Sequence, residues 1–331
     1  AVMSFPEAAR IRAKICAPDS CEKVELDHAS VTYDLFASPN QKADLEWESA
    51  PHNVLILGKF FDPDAREYMD QISVWLRDEK QMNVLVPDEM AKESGFKGHS
   101  DEENFQEKID FIVAIGGDGT LLYVNSLFTG RVPPVIPFRV GSLAFMAIFE
   151  ASNFKSVIEY VMEGPFTTLS RNRLEFHIQR EGSDKPEPNS THIVLNEAVI
   201  NNGPQGTVCT LDTYCNDHMI TTVTGDGLIV GTSTGSTAYN LAAGGSMVHP
   251  NVAGILFTPI CPHSLSFRPV IIPPSIVLRV TVPHDARSSA WALFDGRHHT
   301  ELFKGDSLIG KMSRYPLPTV CDPNETNEWF S

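Results

Sequence analysis

The sequence predicts an α/β domain built on a parallel sheet, followed by a mainly antiparallel β domain. Three observations carry this. From Val54 the chain alternates short apolar runs with helical patterns, the rhythm of strand–helix–strand units. The run Phe111-Ile112-Val113-Ala114-Ile115 reads as a strand buried on both faces and leads directly into Gly116-Gly117-Asp118-Gly119-Thr120. After Gly164 the rhythm changes to short strands at short spacing with few helices.

Residues 1–50 are weakly patterned and are read as an N-terminal extension. The α/β domain is placed at 51–163. It opens with a strand at 54–57 and a helix at 63–80, where Pro63 suits the first turn and Tyr68, Ile72, Trp75 and Leu76 recur on one face. A strand at 82–86 follows, then a polar stretch with a short helix, the glycine-terminated strand, a helix to about 128, a strand near 135–138 and a last helix over 153–162. The β-rich domain is placed at 164–315, with strands at about 167–179, 191–201, 207–215, 218–224, 254–258, 276–282, 290–294 and 307–312. Asn216-Asp217 makes a turn, Phe294-Asp295-Gly296-Arg297 reads as a hairpin turn, and a helical segment at 238–244 interrupts the strands. Residues 182–190 are an exposed loop, and 316–331 form a C-terminal tail.

The chain has 331 residues, 42% of them hydrophobic, and a net charge of −16. No basic run is visible, which argues against nucleic acid or anionic membrane as partners. An anionic substrate must then be met by local amides and a few cations. No apolar run reaches membrane-spanning length and no signal-peptide pattern opens the chain, so the expected location is the cytoplasm. The six cysteines, at 16, 21, 209, 215, 261 and 321, form no Cys-x-x-Cys and no zinc spacing. Reduced thiols are the simple reading, with Cys209 and Cys215 as packing residues.

Gly116, Gly117 and Gly119 permit a tight turn and close approach to bare backbone. The turn opens onto a helix N-terminus, an anion site whose usual guest is phosphate. Asp118 is the odd residue, because a carboxylate repels that guest. Either it caps the helix, or it orients a hydroxyl and accepts its proton or helps hold a metal beside the phosphates. No Gly-Lys-Ser/Thr follows, so this is not a Walker loop, nor is it the dinucleotide Gly-x-Gly-x-x-Gly.

Three further stretches carry polar groups where a core is expected. Asn196-Glu197 sits mid-strand. It either marks a bulge bonded to local backbone or meets a ribose, whose vicinal hydroxyls donate to a carboxylate. Gly225-Asp226-Gly227 leads through a short strand to Ser233-Thr234-Gly235-Ser236-Thr237-Ala238-Tyr239. This is a turn with a Ser236 or Thr237 cap, and its hydroxyls also suit a nucleotide. Tyr239 serves core packing or base stacking equally well. In Pro259–Pro269, His263 is a surface or capping histidine and Arg268 is a cation for an ion pair or a phosphate.

Gly116-Gly117-Asp118-Gly119-Thr120, Asn196-Glu197, and Gly225-Asp226-Gly227 leading to Thr234-Gly235-Ser236-Thr237-Ala238-Tyr239 occur in the order found in NAD kinases. Pro262-His263-Ser264-Leu265-Ser266 and Arg268-Pro269 also resemble that family, over roughly residues 50–325. The wording around Leu121-Leu122-Tyr123 and 259–269 is most similar to eukaryotic cytosolic members. Diacylglycerol and sphingosine kinases share only the first motif convincingly, and phosphofructokinases carry a variant of it.

The resemblance implies an NAD kinase/diacylglycerol kinase-like fold and ATP-dependent phosphorylation of the adenosine 2′-hydroxyl of NAD, with Mg2+ carried by ATP and no metal site built from a side-chain cluster. It puts the catalytic aspartate on Asp118, nucleotide contacts on Gly117, Gly119, Thr120 and Thr234, the ribose pair on Asn196 and Glu197, and adenine-side contacts on Asp226, Thr237, Ala238 and Tyr239. A turn contact falls near Asp295 and Arg297. It also implies a homo-oligomer, commonly a tetramer. Many members have proline at Ser233 and glycine at Ala144. The competing readings are a lipid or sugar kinase sharing the loop, and a nucleotide-binding regulatory protein without turnover.

Overall fold

The structure, a computed structural model, describes residues 5–17, 20–26, 42–141, 144–183, 185–188, 190–264 and 267–322. The chain divides into two compact units, 1–170 with 315–331, and 171–314.

In the first unit, apolar runs at Asn53–Gly58, Asn83–Val86, Phe111–Gly116 and Val135–Arg139 form the parallel core of one sheet. Both side-chain parities are buried. Val54, Ile56, Val113 and Ile115 pack with the helices Pro63–Asp78 and Phe154–Glu163, while Leu55, Leu57 and Ile112 are equally withdrawn from water. This is why the runs read as continuous rather than alternating. The first helix starts where Asp62 accepts from the Ala65 amide (3.3 Å) and Pro63 opens its first turn. It buries Ala65, Met69, Ile72 and Leu76 on one face, and each of the larger side chains contributes about 1.5–3 kcal/mol.

The sheet extends further than its sequence pattern. In the 11-stranded order, Ser20–Leu26, Ile11–Ala17 and Lys42–Trp47 lead to Phe166–Arg171, then Leu317–Val320, before the parallel core. The first three lie within the expected extension. Ile11 and Ala13 are buried there, alternating with Arg12 over too few residues to stand out. Leu317–Val320 lies within the expected tail and runs parallel to Val135–Arg139, with Thr319 opposite Val135. Pro316 and Pro318 hide it, since proline inside a run ordinarily argues against a central strand.

The second unit is an antiparallel β-sandwich, which bears out the expected fold class. One six-stranded sheet is built on Leu174–Gln179, Cys209–Cys215, His218–Gly225, Leu278–Thr281 and Ser307–Met312. The other is built on Glu197–Asn201, Gly227–Thr232, Ile255–Ile260, Ala290–Phe294 and Arg297–Leu302. Phe176, Leu211, Leu308, Ile200, Val230, Phe257 and Phe294 from the two sheets share one core. Asn216-Asp217 and Asp295-Gly296 are turns, with positive φ at all four residues. Two expected single strands are each broken. Phe166–Arg171 is separated from Leu174–Gln179, and His192–Val194 from Glu197–Asn201. Val270–Ile272 is an edge strand that the sequence pattern does not show.

No helix among the described residues is long and apolar enough to cross a membrane. Leu317→Ala removes a fully buried side chain from the late strand. It should cost about 2–5 kcal/mol, read as a lowered denaturant midpoint; an unchanged midpoint would place 316–320 outside the core.

Candidate functional site

In the first unit the glycine strand ends at Gly116, whose φ of +145° lies outside the range of ordinary side chains. A Cβ there would also stand 2.6 Å from Thr120 Oγ1. Gly117 follows in extended conformation as the residue before the helix Asp118–Leu127, and no side chain caps that helix. Asp118 therefore does not serve as the cap. Its Oδ1 accepts from the Met146 amide (2.8 Å) and its Oδ2 from the Phe145 amide (3.1 Å). These bonds hold the carboxylate, half-buried, at the carboxyl end of the parallel sheet. Gly119 is exposed, with open space where a Cβ would be, while Thr120 is buried and its amide donates to Gly117 O (2.9 Å).

Sequence reasoning missed Lys59. It follows the strand Asn53–Gly58, which pairs Gly58 with Ile115, and its side chain passes 3.5 Å from where a Gly116 Cβ would stand. It is exposed and makes no ion pair among the described residues. A basic residue directly after a parallel strand was the available signal.

In the second unit the Asn196-Glu197 pair falls at the strand break, and the bulge reading holds for the backbone. Thr232 Oγ1 donates to Leu195 O (2.6 Å) and the Thr232 amide to Asn196 O (2.9 Å). Gly235 lies so close that a Cβ would be 2.3 Å from Asn196 O. Asp295 accepts from the Leu195 (2.8 Å), Asn196 (2.8 Å) and Glu197 (3.2 Å) amides. The Glu197 side chain is not consumed this way. It is 8% exposed, and its Oε2 is buried without a hydrogen-bond partner among the described residues. Burial, with the neighbouring Asp295 charge, pushes its carboxyl up to about 8. Arg173, also fully buried, is pulled down to about 9 by burial while the Asp295 charge acts in the opposite direction.

The hydroxyl loop divides into structural and open groups. Ser236 bonds both the carbonyl (3.1 Å) and the amide (2.9 Å) of Val248, so it is a cross-brace rather than a helix cap. The short helix Tyr239–Ala242 follows Ala238 and has no side-chain cap, so Thr237 does not cap it either. Asn240 ties Ser236, Ser246 and Thr258 together. Ser233, at φ −61°, donates to Val252 O, which anchors the loop. Thr234 and Thr237 form no side-chain hydrogen bond among the described residues, and Tyr239 is 44% exposed rather than in the core.

Asp226 is exposed beside Cys261, whose thiol it raises by accepting a hydrogen bond. Arg297 begins the returning strand, half-buried. His263 is exposed and donates its amide to Thr224 O (2.9 Å). Arg268 is exposed without an ion pair among the described residues. Leu265 and Ser266 of that motif lie outside the described residues. Cys209 is buried in the core, its thiol pushed up to about 12 by burial, and Cys215 packs against that core. Among the described residues no three His, Cys, Asp or Glu side chains cluster as metal ligands.

An α/β unit with a glycine–aspartate loop at the carboxyl end of a central strand, joined in one chain to an antiparallel sandwich with a buried carboxylate at a strand break, defines the class to which ATP–NAD kinases belong. The model of the ATP-NAD kinase N-terminal domain matches residues 54–166 and that of the C-terminal domain residues 195–321. The chain belongs to the NAD kinase family. Probable NAD kinase 1 of Oryza sativa subsp. japonica is 43% identical over 303 residues, 88% of this chain and 57% of that protein. The NAD(+) kinase of Saccharomyces cerevisiae is 44% identical over 228 residues, 65% of this chain and 43% of that protein. The crystal structure of yeast NADH kinase complexed with NADH matches with a TM-score of 0.79 at 29% identity, covering 91% of this chain and 89% of that one. The chain thus spans about half the length of these curated relatives.

Burial of Glu197 sets a pH dependence. Its folded value of about 8 lies above its ordinary 4.5, so the folded state binds the proton more tightly. The contribution to stability is intact below about pH 4.5 and is lost as pH rises to about 8. Glu197→Gln should therefore flatten the fall in melting temperature over that window. Parallel pH profiles for the two proteins would show that Glu197 ionises normally in the fold.

Proposed function

We propose that this chain is an NAD kinase that transfers the terminal phosphoryl group of ATP to the adenosine 2′-hydroxyl of NAD, giving NADP. The observation that carries the reading is the buried Oε2 of Glu197, without a partner among the described residues, at a break held open by backbone bonds. An unsatisfied buried polar group costs about 1–3 kcal/mol, and a ribose supplies the missing donors.

In this reading Asn196 and Glu197 bind the vicinal ribose hydroxyls. Asp226, Thr234, Thr237, Ala238 and Tyr239 form the adenine side, with Tyr239 offering its exposed ring for stacking, and Arg297 is a further nucleotide contact. Gly117, Gly119 and Thr120 present the loop to the donor phosphates, where a helix without a side-chain cap suits an anion. Asp118 is the catalytic residue. A ribose hydroxyl is a far weaker acid than a carboxyl of reference pKa about 3.9, so Asp118 orients the hydroxyl and accepts its proton late. A loose phosphoryl-transfer transition state requires little nucleophile charge early. Magnesium carried with the donor would be held mostly by phosphate oxygens and water. Bound there, it would offset donor charge in an acidic chain.

The proposal includes a cytoplasmic homo-oligomer, a tetramer by family resemblance. Exposed Met219 and Ile220 on one edge strand and Val270 and Ile271 on another support assembly.

Purified protein with NAD, ATP and magnesium should form NADP; NAD binding without any product would instead indicate a regulatory protein. Asp118→Asn should lower turnover by about two to four orders of magnitude while NAD still binds, and near-normal turnover would remove Asp118 from the chemistry. Glu197→Gln, assayed above about pH 8 where the carboxyl is ionised, should lower kcat/KM for NAD roughly ten- to hundredfold, and an unchanged value would separate this pair from the ribose.

A further inference from the structure

Family resemblance places Asp295 at the nucleotide. Its geometry points elsewhere. Oδ1 accepts the Asn196 and Glu197 amides and Oδ2 the Leu195 amide, all between 2.8 and 3.2 Å. The Asp295 amide returns a bond to Glu197 O at 3.0 Å. The residue stands at the hairpin corner with φ +47°, next to Phe294, which pairs with Ala198. Hairpin corner and strand break are therefore locked by three bonds in one direction and one in the other. From the other side, Thr232 fixes the carbonyls of Leu195 and Asn196. Every main-chain group that sets the direction of the Asn196 and Glu197 side chains is held, and the two carboxylate oxygens of Asp295 accept all three amides.

We propose that Asp295 is a positioning residue: its carboxylate fixes the break at Leu195–Glu197 and so aims Asn196 and Glu197 at the substrate ribose, without itself touching the nucleotide. This rests on the NAD kinase reading of the same site. A carboxylate is required because three N–H donors converge on it. An amide offers one acceptor oxygen and would turn its own N–H toward the remaining donor. The same convergence explains why the pair sits in a break rather than a continuous strand, where Glu197's amide would be committed to a ladder.

The test is a double-mutant cycle on full-length protein, with KM for NAD and for ATP measured separately and folding followed by thermal unfolding. Asp295→Asn should raise KM for NAD about tenfold and leave KM for ATP within about twofold. In an Asn196→Ala/Glu197→Gln background the same substitution should add less than about threefold, because the groups it positions are gone. If the two losses multiply, Asp295 contacts nucleotide directly and the inference is overturned. It is equally overturned if a folded Asp295→Asn keeps the wild-type KM for NAD, or if both KM values move together with a lowered melting temperature. Should Asp295→Asn not fold, Asp295→Glu, which keeps the charge and both acceptors one methylene further out, enters the same cycle under the same criteria. A wild-type protein that makes no NADP overturns the kinase reading and this inference with it; a competent wild type with multiplying losses overturns only the inference.

Discussion

Wherever a strand of this protein breaks, its amides lose their ladder partners, and a buried amide without an acceptor is rarely tolerated. At four irregular segments the chain meets this constraint with a carboxylate. Asp295 receives three amides at the break before Glu197. Asp110, fully buried, receives those of Ala9, His52 and Asn53. Asp306 receives Glu181 and Phe303 as well as the Arg180 guanidinium. Asp118 receives Phe145 and Met146. A charged acceptor makes a stronger bond than a neutral one, so each irregular segment acquires one defined conformation. Part of the acidity of a chain with net charge −16 is thus structural, and it does not by itself describe the surface offered to ligands.

Those four carboxylates differ in what they leave free. Asp295 and Asp110 each serve three main-chain donors and so act as internal fastenings. Among the described residues Asp118 accepts two amides from one loop and stays half-buried, which orients the group while keeping lone pairs for another donor. Glu197 is the converse case, a carboxylate that local structure does not satisfy. Local conflicts of this kind are expected where function overrides packing, and the contrast between satisfied and unsatisfied carboxylates in one family fold separates support from site.

The parallel core and the glycine loop were legible because their signals are local. A continuous apolar run followed by glycines has few other readings, and the hairpin at Asp295-Gly296 and the turn at Asn216-Asp217 announce themselves through residues that tolerate positive φ. The flanks were not legible. Ile11–Ala17 and Lys42–Trp47 alternate over only a few residues, and Leu317–Val320 carries a proline, so their strand character comes from pairing with strands supplied elsewhere in the chain. In the site, Asn196 and Glu197 stood out as polar residues in a strand. The direction of Asp118's bonds, Lys59 beside Gly116 and the cross-bracing by Ser236 and Asn240 depend on contacts that no spacing encodes.

The hydroxyl loop shows how such contacts divide a motif that looks uniform in sequence. Thr232, Ser236 and Asn240 spend their hydrogen bonds on backbone or on Thr258, and Ser233 on Val252 O. That leaves Thr234 and Thr237 with hydroxyls not engaged among the described residues, and Tyr239 with an exposed ring. The anchored groups hold the loop against the strand break at Asn196, where Gly235 allows the closest approach. A ligand entering there would meet side chains already fixed in place, so less ordering cost would be charged against its affinity. Ser233, whose φ matches that of proline, adds to this ordering through its hydrogen bond to Val252 O.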